Sequence, residues 1–209
     1  MTTAAALLAG SAELGRSLAK HPFVVAAGDG TLASDAFDRW LVEDYFYVVE
    51  FRRFLARLAA AAPTEEVRDL LLAALVPLRA ELELFRTQAA ARQLSLCVEP
   101  APTTLGYASY LHASLLDGFE VALAVLYGAE KAYYDAWAPL RACAQANSPY
   151  WPFINNWSAP EFGVWVEELA AALDRVTPLG PTSGQRRAFS RVLRLELRFW
   201  NGVHVGDGW

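Results

Sequence analysis

Six residues of the stretch FEVALAVLYGAEKAYYDAW, namely Phe119, Leu123, Leu126, Glu130, Tyr133 and Trp137, follow one another at steps of four, three, four, three and four. That spacing puts them on one face of a helix. The face is apolar except at Glu130, which therefore points where its neighbours point, toward a core. The same spacing recurs twice. Phe37, Trp40, Asp44, Tyr47 and Phe51 form a row whose charge is Asp44, and Phe189, Val192, Glu196 and Phe199 form one whose charge is Glu196. Glu81, next to Leu78 and Leu82, lies beside its stripe and is a weaker fourth case. Strand-like alternation is nearly absent, and Ala-, Leu- and Arg-rich segments are broken by Pro, Gly or Asn, so the expected fold is all-α.

Boundary signals divide the chain as follows. A first helix runs from about Thr3 to Lys20, and His21-Pro22-Phe23 with Gly28-Asp29-Gly30 forms a turn region. Ser34 looks like the N-cap of a helix to about Ala60, and Thr64 caps one to about Leu94 with Glu65 and Glu66 in its first turn. Thr103 or Thr104 opens a helix to Asp117-Gly118, and the next runs to about Ala146. Asn147 to Pro152 is an aromatic-rich break, Ser158 with Glu161 is a capping box for a helix to about Val176, and a final helix spans about Ser183 to His204. Without an internal repeat or a low-complexity linker, residues 1–209 are expected to form one helical bundle.

The totals exclude several functions. With 209 residues of which 55% are hydrophobic, the chain can bury a large core, and its net charge of -5 argues against nucleic acid or an acidic membrane surface as partner. No apolar run approaches the roughly 20 residues a membrane span needs. MTTAAALLAG has no basic start, and Glu13 and Arg16 continue its helical pattern, so it reads as the first helix and not as a signal peptide. Cys97 and Cys143 lie far apart and outside any CxxC, which fits a reduced, cytoplasmic setting. The acceptor pattern Asn156-Trp157-Ser158 is then a chance match.

An isolated buried carboxylate costs several kcal/mol, so such a group is paired, hydrogen-bonded or neutral. Each acid could meet an arginine such as Arg52, Arg53 or Arg194, or a tyrosine, as structural support. Three acids on three helices, each with aromatics one turn away, instead favour a shared polar pocket for a flat ligand, its ring between aromatics and its amino groups on carboxylates. HExxH, GxSxG, P-loop and GxGxxG motifs are missing, and the three histidines, His21, His112 and His204, lack the Glu-x-x-His spacing of a di-iron bundle. His21 before Pro22 reads as a capping or turn residue and His112 as a half-buried helix residue. What remains is acid–base or nucleophilic catalysis by carboxylates, without metal or cofactor.

HPFVVAAGDGTLASDAFDRWLVEDYFYVVEF, TTLGYASYL, GAEKAYY and LELRFW, in this order and spacing, resemble the TenA or thiaminase II family over most of the chain. The resemblance implies a haem-oxygenase-like bundle, usually a homo-tetramer or dimer, that hydrolyses aminopyrimidines derived from thiamin and salvages the vitamin's pyrimidine half. It places substrate binding on Asp44 and Tyr47, pocket tyrosines on Tyr107 and Tyr133, and proton transfer on Glu196. The common branch has a nucleophilic Cys in a Pro-Cys pair where this chain has Gly128-Ala129, followed at once by Glu130. A second branch uses Glu, and this sequence resembles it. Trp157 stands where the Cys branch has a pocket Tyr. Some relatives pair Glu with His four residues on, and the pair here is Glu81 and Phe85, which disfavours iron.

The expectation is therefore a metal-free hydrolase of aminomethyl- or formylaminomethyl-pyrimidine. Glu130 acts as base or nucleophile, Glu196 transfers the proton, and Asp44, Tyr47, Tyr107, Tyr133 and Trp157 bind substrate. The alternative is a pyrimidine-binding or regulatory protein that has lost catalysis.

Overall fold

The computed structural model describes residues 1–145 and 148–209, and those residues contain helices and no strand. In chain order the helices are α1 (Thr3–Gly10), α2 (Ala12–Ala19), α3 (Pro22–Asp29), α4 (Ser34–Ala60), α5 (Glu65–Ala73), α6 (Pro77–Ala91), α7 (Pro102–Ser114), α8 (Phe119–Trp137), α9 (Trp151–Trp157), α10 (Pro160–Val176) and α11 (Ser183–Val205). Short 3₁₀ turns follow α7 and α8, at Leu115–Asp117 and Ala138–Ala142. No helix among the described residues is long and apolar enough to cross a membrane.

Where the elements differ from expectation, local chemistry gives the reason. The first helix breaks at Ser11 into α1 and α2. The HPF segment is no turn but the start of α3. His21 Nδ1 accepts the Phe23 N–H, Pro22 occupies the first turn where its missing N–H costs nothing, and Gly30 closes the helix with φ of 74°. Ala33, not Ser34, is the N-cap of α4, and the Ser34 hydroxyl instead accepts from Arg92 at 2.6 Å. Thr64 caps α5 as expected, by accepting from Val67 N, but the helix stops at Ala73 because Pro77 cannot continue the hydrogen-bond ladder. α7 opens one residue ahead of Thr103, at Pro102.

The fifth expected helix ends at Trp137, and its expected end at Ala146, like the start of the break at Asn147, lies outside the described residues. Part of that break is the helix α9. The Ser158–Glu161 box does not form, since Ala159 caps α10 without a side-chain bond. A capping box does exist between Thr182 and Gln185, at the start of α11.

The long helices α4, α8 and α11 supply the framework. α11 lies against α8, α4, α7 and α2, while α10 covers α8 and α5 to α7 flank α4. Close approach of α8 and α11 depends on Gly128, where a Cβ would sit 2.6 Å from Val192 Cγ1 and 3.1 Å from the Phe189 ring. Trp40, Phe85, Trp137, Phe153 and Trp157 form an aromatic cluster with ring centroids 4.7 to 6.1 Å apart. It seats the short α9, whose seven residues could not hold a helix alone.

Candidate active site

A cavity of about 360 Å³ lies between α4, α5, α6, α8, α9 and α10. Asp44 and Tyr47 reach it from α4, Glu81 from α6, Glu130 and Tyr133 from α8, Asn156 and Trp157 from α9, and Phe162 and Trp165 from α10. Val48, Phe51, Leu55, Leu70 and Leu78 make its apolar flank, and Glu161 and Glu168, both exposed, stand where it meets solvent. No lysine or arginine lines it.

The acids are held by aromatic and amide donors, not by arginines. Asp44, 1% exposed, accepts the Tyr133 hydroxyl on Oδ1 at 2.8 Å, and Tyr133 in turn accepts the Trp40 indole N–H at 3.3 Å. Glu81 Oε2 accepts from Asn156 Nδ2 at 2.9 Å, and the Trp157 indole also interacts with this carboxyl. Glu130 interacts with the Trp165 indole. Glu196, 1% exposed, accepts the Tyr107 hydroxyl on Oε2 at 2.7 Å, and the Trp200 N–H lies close enough to favour its charge without forming a hydrogen bond. The alternative of arginine support fails at these positions. Arg53 pairs with Glu50, Arg52 and Arg194 are exposed, and none of the four acids joins an ion pair among the described residues.

Burial without a counter-cation raises every one of these carboxyls. Desolvation lifts Glu81 from its ordinary 4.5 to about 7, with Asn156 and Trp157 pulling back. It lifts Glu130 to about 8, with Trp165 opposing and the charges of Glu81 and Glu196 adding to the rise. Glu196 rises to about 8 through the same desolvation, against Tyr107 and Trp200. Asp44 is pushed well up by burial, with Tyr133 opposing and Glu81 and Glu196 adding repulsion. Glu130 and Glu81 are half-buried by surface exposure because their heads face a cavity that water can enter.

Of the residues singled out in the sequence, Asp44, Tyr47, Glu130, Tyr133 and Trp157 share the cavity wall. Tyr107 and Glu196 do not reach it. They lie one layer behind, where the Tyr107 ring packs on Tyr47 at 4.6 Å and their hydroxyls interact. Glu81 is on the wall despite its weak signal, and measuring its row from Leu78 to Phe85, steps of three and four, shows why. Asn156, Phe162 and Trp165 carried no such signal, because α9 is too short for a period and α10 meets the cavity only along one edge.

The arrangement can bind a flat, amine-bearing molecule and move protons. Asp44 Oδ2 and Glu196 Oε1 are buried and find no hydrogen-bond partner among the described residues. No group of three or more His, Cys, Asp or Glu side chains among the described residues is placed to hold a metal ion. His21 and His112 serve structural ends, the first as the α3 cap and the second bonded to Glu50 at 3.0 Å.

A single-chain bundle of this kind, closed around carboxyls and aromatics, defines a known class, and the chain belongs to the TENA/THI-4/PQQC family, whose sequence profile matches residues 9–204. Among relatives, the aminopyrimidine aminohydrolase of Bacillus subtilis is 27% identical over 198 residues, covering 90% of this chain and 84% of that one. The aminopyrimidine aminohydrolase of Halalkalibacterium halodurans is 27% identical, covering 90% and 89%. Among solved structures, a TenA homologue from Pyrococcus furiosus superposes with a TM-score of 0.89 at 30% identity, covering 95% of this chain and 98% of that one.

Proposed function

We propose that the protein is a hydrolase of thiamin-derived aminopyrimidines, acting on an aminomethyl- or formylaminomethyl-pyrimidine in salvage of the pyrimidine. The observation that carries this reading is a cavity walled by Asp44, Glu81 and Glu130 with Tyr47, Tyr133, Trp157 and Trp165, and with no basic side chain. Such a wall suits an amine on a flat ring and repels phosphate or carboxylate. The two aminopyrimidine aminohydrolases at 27% identity support the same substrate class.

In this reading Asp44, through its free Oδ2, orients the ring amino group, with Tyr47, Tyr133 and Trp157 around the ring. Glu130 is the base or nucleophile. As base it takes a proton from water while the water oxygen bonds to the methylene carbon, and the C–N bond breaks with its electron pair going to nitrogen. An amine that enters as ammonium departs as ammonia, and Glu196 supplies the proton when the departing nitrogen is neutral or acylated. Because it lies behind the wall, that proton passes through Tyr107 and Tyr47, which makes Tyr107 part of a relay and not a ring contact. The reaction calls on no metal and no cofactor.

One domain over residues 1–209 belongs to the proposal, supported by a contiguous core from Ala4 to Val203. So does a cytoplasmic homo-oligomer, dimer or tetramer. Free, exposed Cys97 and Cys143 support a reducing compartment, and exposed Leu72 and Val76 support self-association, which light scattering on the purified protein measures.

The deciding experiment compares the protein with Glu130→Gln. Calorimetry is expected to show that both bind aminomethylpyrimidine, while ammonia release by the variant drops about 10²–10⁴-fold. Undiminished turnover removes Glu130 from the chemistry. Binding without turnover by the unmodified protein, on both the amine and its formyl derivative, leaves the pyrimidine-binding alternative.

A further inference from the structure

Among the acids of the cavity wall inside the exposed rim of Glu161 and Glu168, Glu81 is left without a task in the reaction above. It faces the cavity from α6, whereas Glu130 faces it from α8. Its carboxyl is built into place by donors on a separate element, Asn156 Nδ2 at 2.9 Å and the Trp157 indole, both from α9. The hydrogen bond from Asn156, with the Trp157 indole nearby, favours the charged form of this half-buried carboxyl. Asn156 gives one of its amide N–H bonds to Glu81 Oε2, and Glu81 Oε1 and the Asn156 carbonyl oxygen remain as acceptors. An ammonium can donate to both.

Every titratable group facing Glu81 is an acid or a phenol. Asp44 and Tyr47 come from α4 and Glu130 and Tyr133 from α8, with Glu161 and Glu168 at the α10 rim. No cation of the protein neutralises the group. The counter-charge has to arrive with the ligand.

We propose that Glu81 and Asn156 form the seat of the leaving nitrogen, a subsite that accepts N–H bonds from an ammonium and so selects an amine over a neutral group at that position. This deepens the reading of the site and rests on it. Asp44 recognises the ring amino group, Glu130 works on water, and the Glu81–Asn156 pair holds the nitrogen that departs.

The test is binding of two probes, aminomethylpyrimidine and its hydroxymethyl counterpart, measured by calorimetry on the full chain carrying Glu130→Gln, which does not convert the first probe into the second. Glu81→Gln keeps the Asn156 contact and removes the charge. It is expected to weaken the amine about 30-fold or more, the loss typical of breaking a buried hydrogen-bonded charge pair, and the hydroxymethyl probe less than about threefold. Equal losses for both probes, or none, overturn the subsite. If the double variant fails to fold, the Glu130→Gln chain with Glu81 intact carries the test. Its preference for the amine over the hydroxymethyl probe is expected to widen from pH 6 to pH 8 as Glu81 ionises, and a constant ratio overturns the proposal. Neither arm depends on turnover, so discrimination of the probes beside an inactive unmodified protein rejects the hydrolase reading and keeps the subsite, while no discrimination beside an active unmodified protein rejects the subsite alone.

Discussion

The Tyr133 hydroxyl donates to Asp44 Oδ1 at 2.8 Å while accepting the Trp40 indole N–H at 3.3 Å, which fixes one carboxyl oxygen of Asp44, while Oδ2 stays buried without a partner among the described residues. Tyr133→Phe strands the acid and the indole together. Leaving a buried polar group unpaired costs about 1–3 kcal/mol. The variant is expected to melt several degrees lower and to lose ring affinity. An unchanged melting temperature and unchanged ligand Kd would show the triad to be incidental.

Tyr107 separates two roles by kinetics. In the proposed reaction it links Glu196 to Tyr47 and touches no substrate, so Tyr107→Phe should lower kcat about 10–100-fold with KM nearly constant. A direct ring contact would instead raise KM.

The raised carboxyls set opposite pH trends for stability and activity. Glu130 and Glu196 have folded values of about 8 against an ordinary 4.5, so between these limits the folded state binds more protons than the unfolded one. Their contribution to stability is complete below about 4.5 and is lost as pH climbs through about 8. The ligand-free protein is therefore expected to melt progressively lower from pH 6 to pH 9, with Glu130→Gln flattening the slope. Activity runs the other way. It rises over pH 6 to 8 as Glu81 and Glu130 ionise, and a kcat/KM profile flat across that range contradicts the assignment of a carboxylate base.

Gly128 tests the packing that sets Glu130 in place. A Cβ there meets Val192 Cγ1 at 2.6 Å and Phe189 at 3.1 Å, both buried on α11, so neither can yield freely. Gly128→Ala should cost about 1–3 kcal/mol despite the better helix propensity of alanine. At about 2–4 °C per kcal/mol for a chain of this size, calorimetric melting resolves it.

Much of the site was legible in the sequence because helical rows carry their own geometry. Asp44, Glu130 and Tyr133 stand in such rows and reach one cavity, and Glu196 stands in its row yet stops one layer short of it. Periodicity gives a direction from the helix axis, not a distance to a surface that several helices build together. Glu81 illustrates the converse. Judged against Leu82 it falls off its stripe, but the turn at Pro77 starts α6 afresh and sets it toward the cavity. α9 had no period to read, since seven residues make only two turns and its helix exists because Phe37, Trp40 and Phe85 cover Phe153 and Trp157.

The sequence by itself determined the helical class, the three acids in apolar rows and the family likeness, because each of these rests on spacing along one chain segment. Only the tertiary structure decided which acids meet water and which lie behind tyrosines, and that Asn156 and Trp157 hold Glu81. Those outcomes depend on contacts between helices far apart in sequence. In a low-dielectric interior such contacts, and not residue identity, decide whether a carboxyl is paired, neutral or left to receive a ligand's charge.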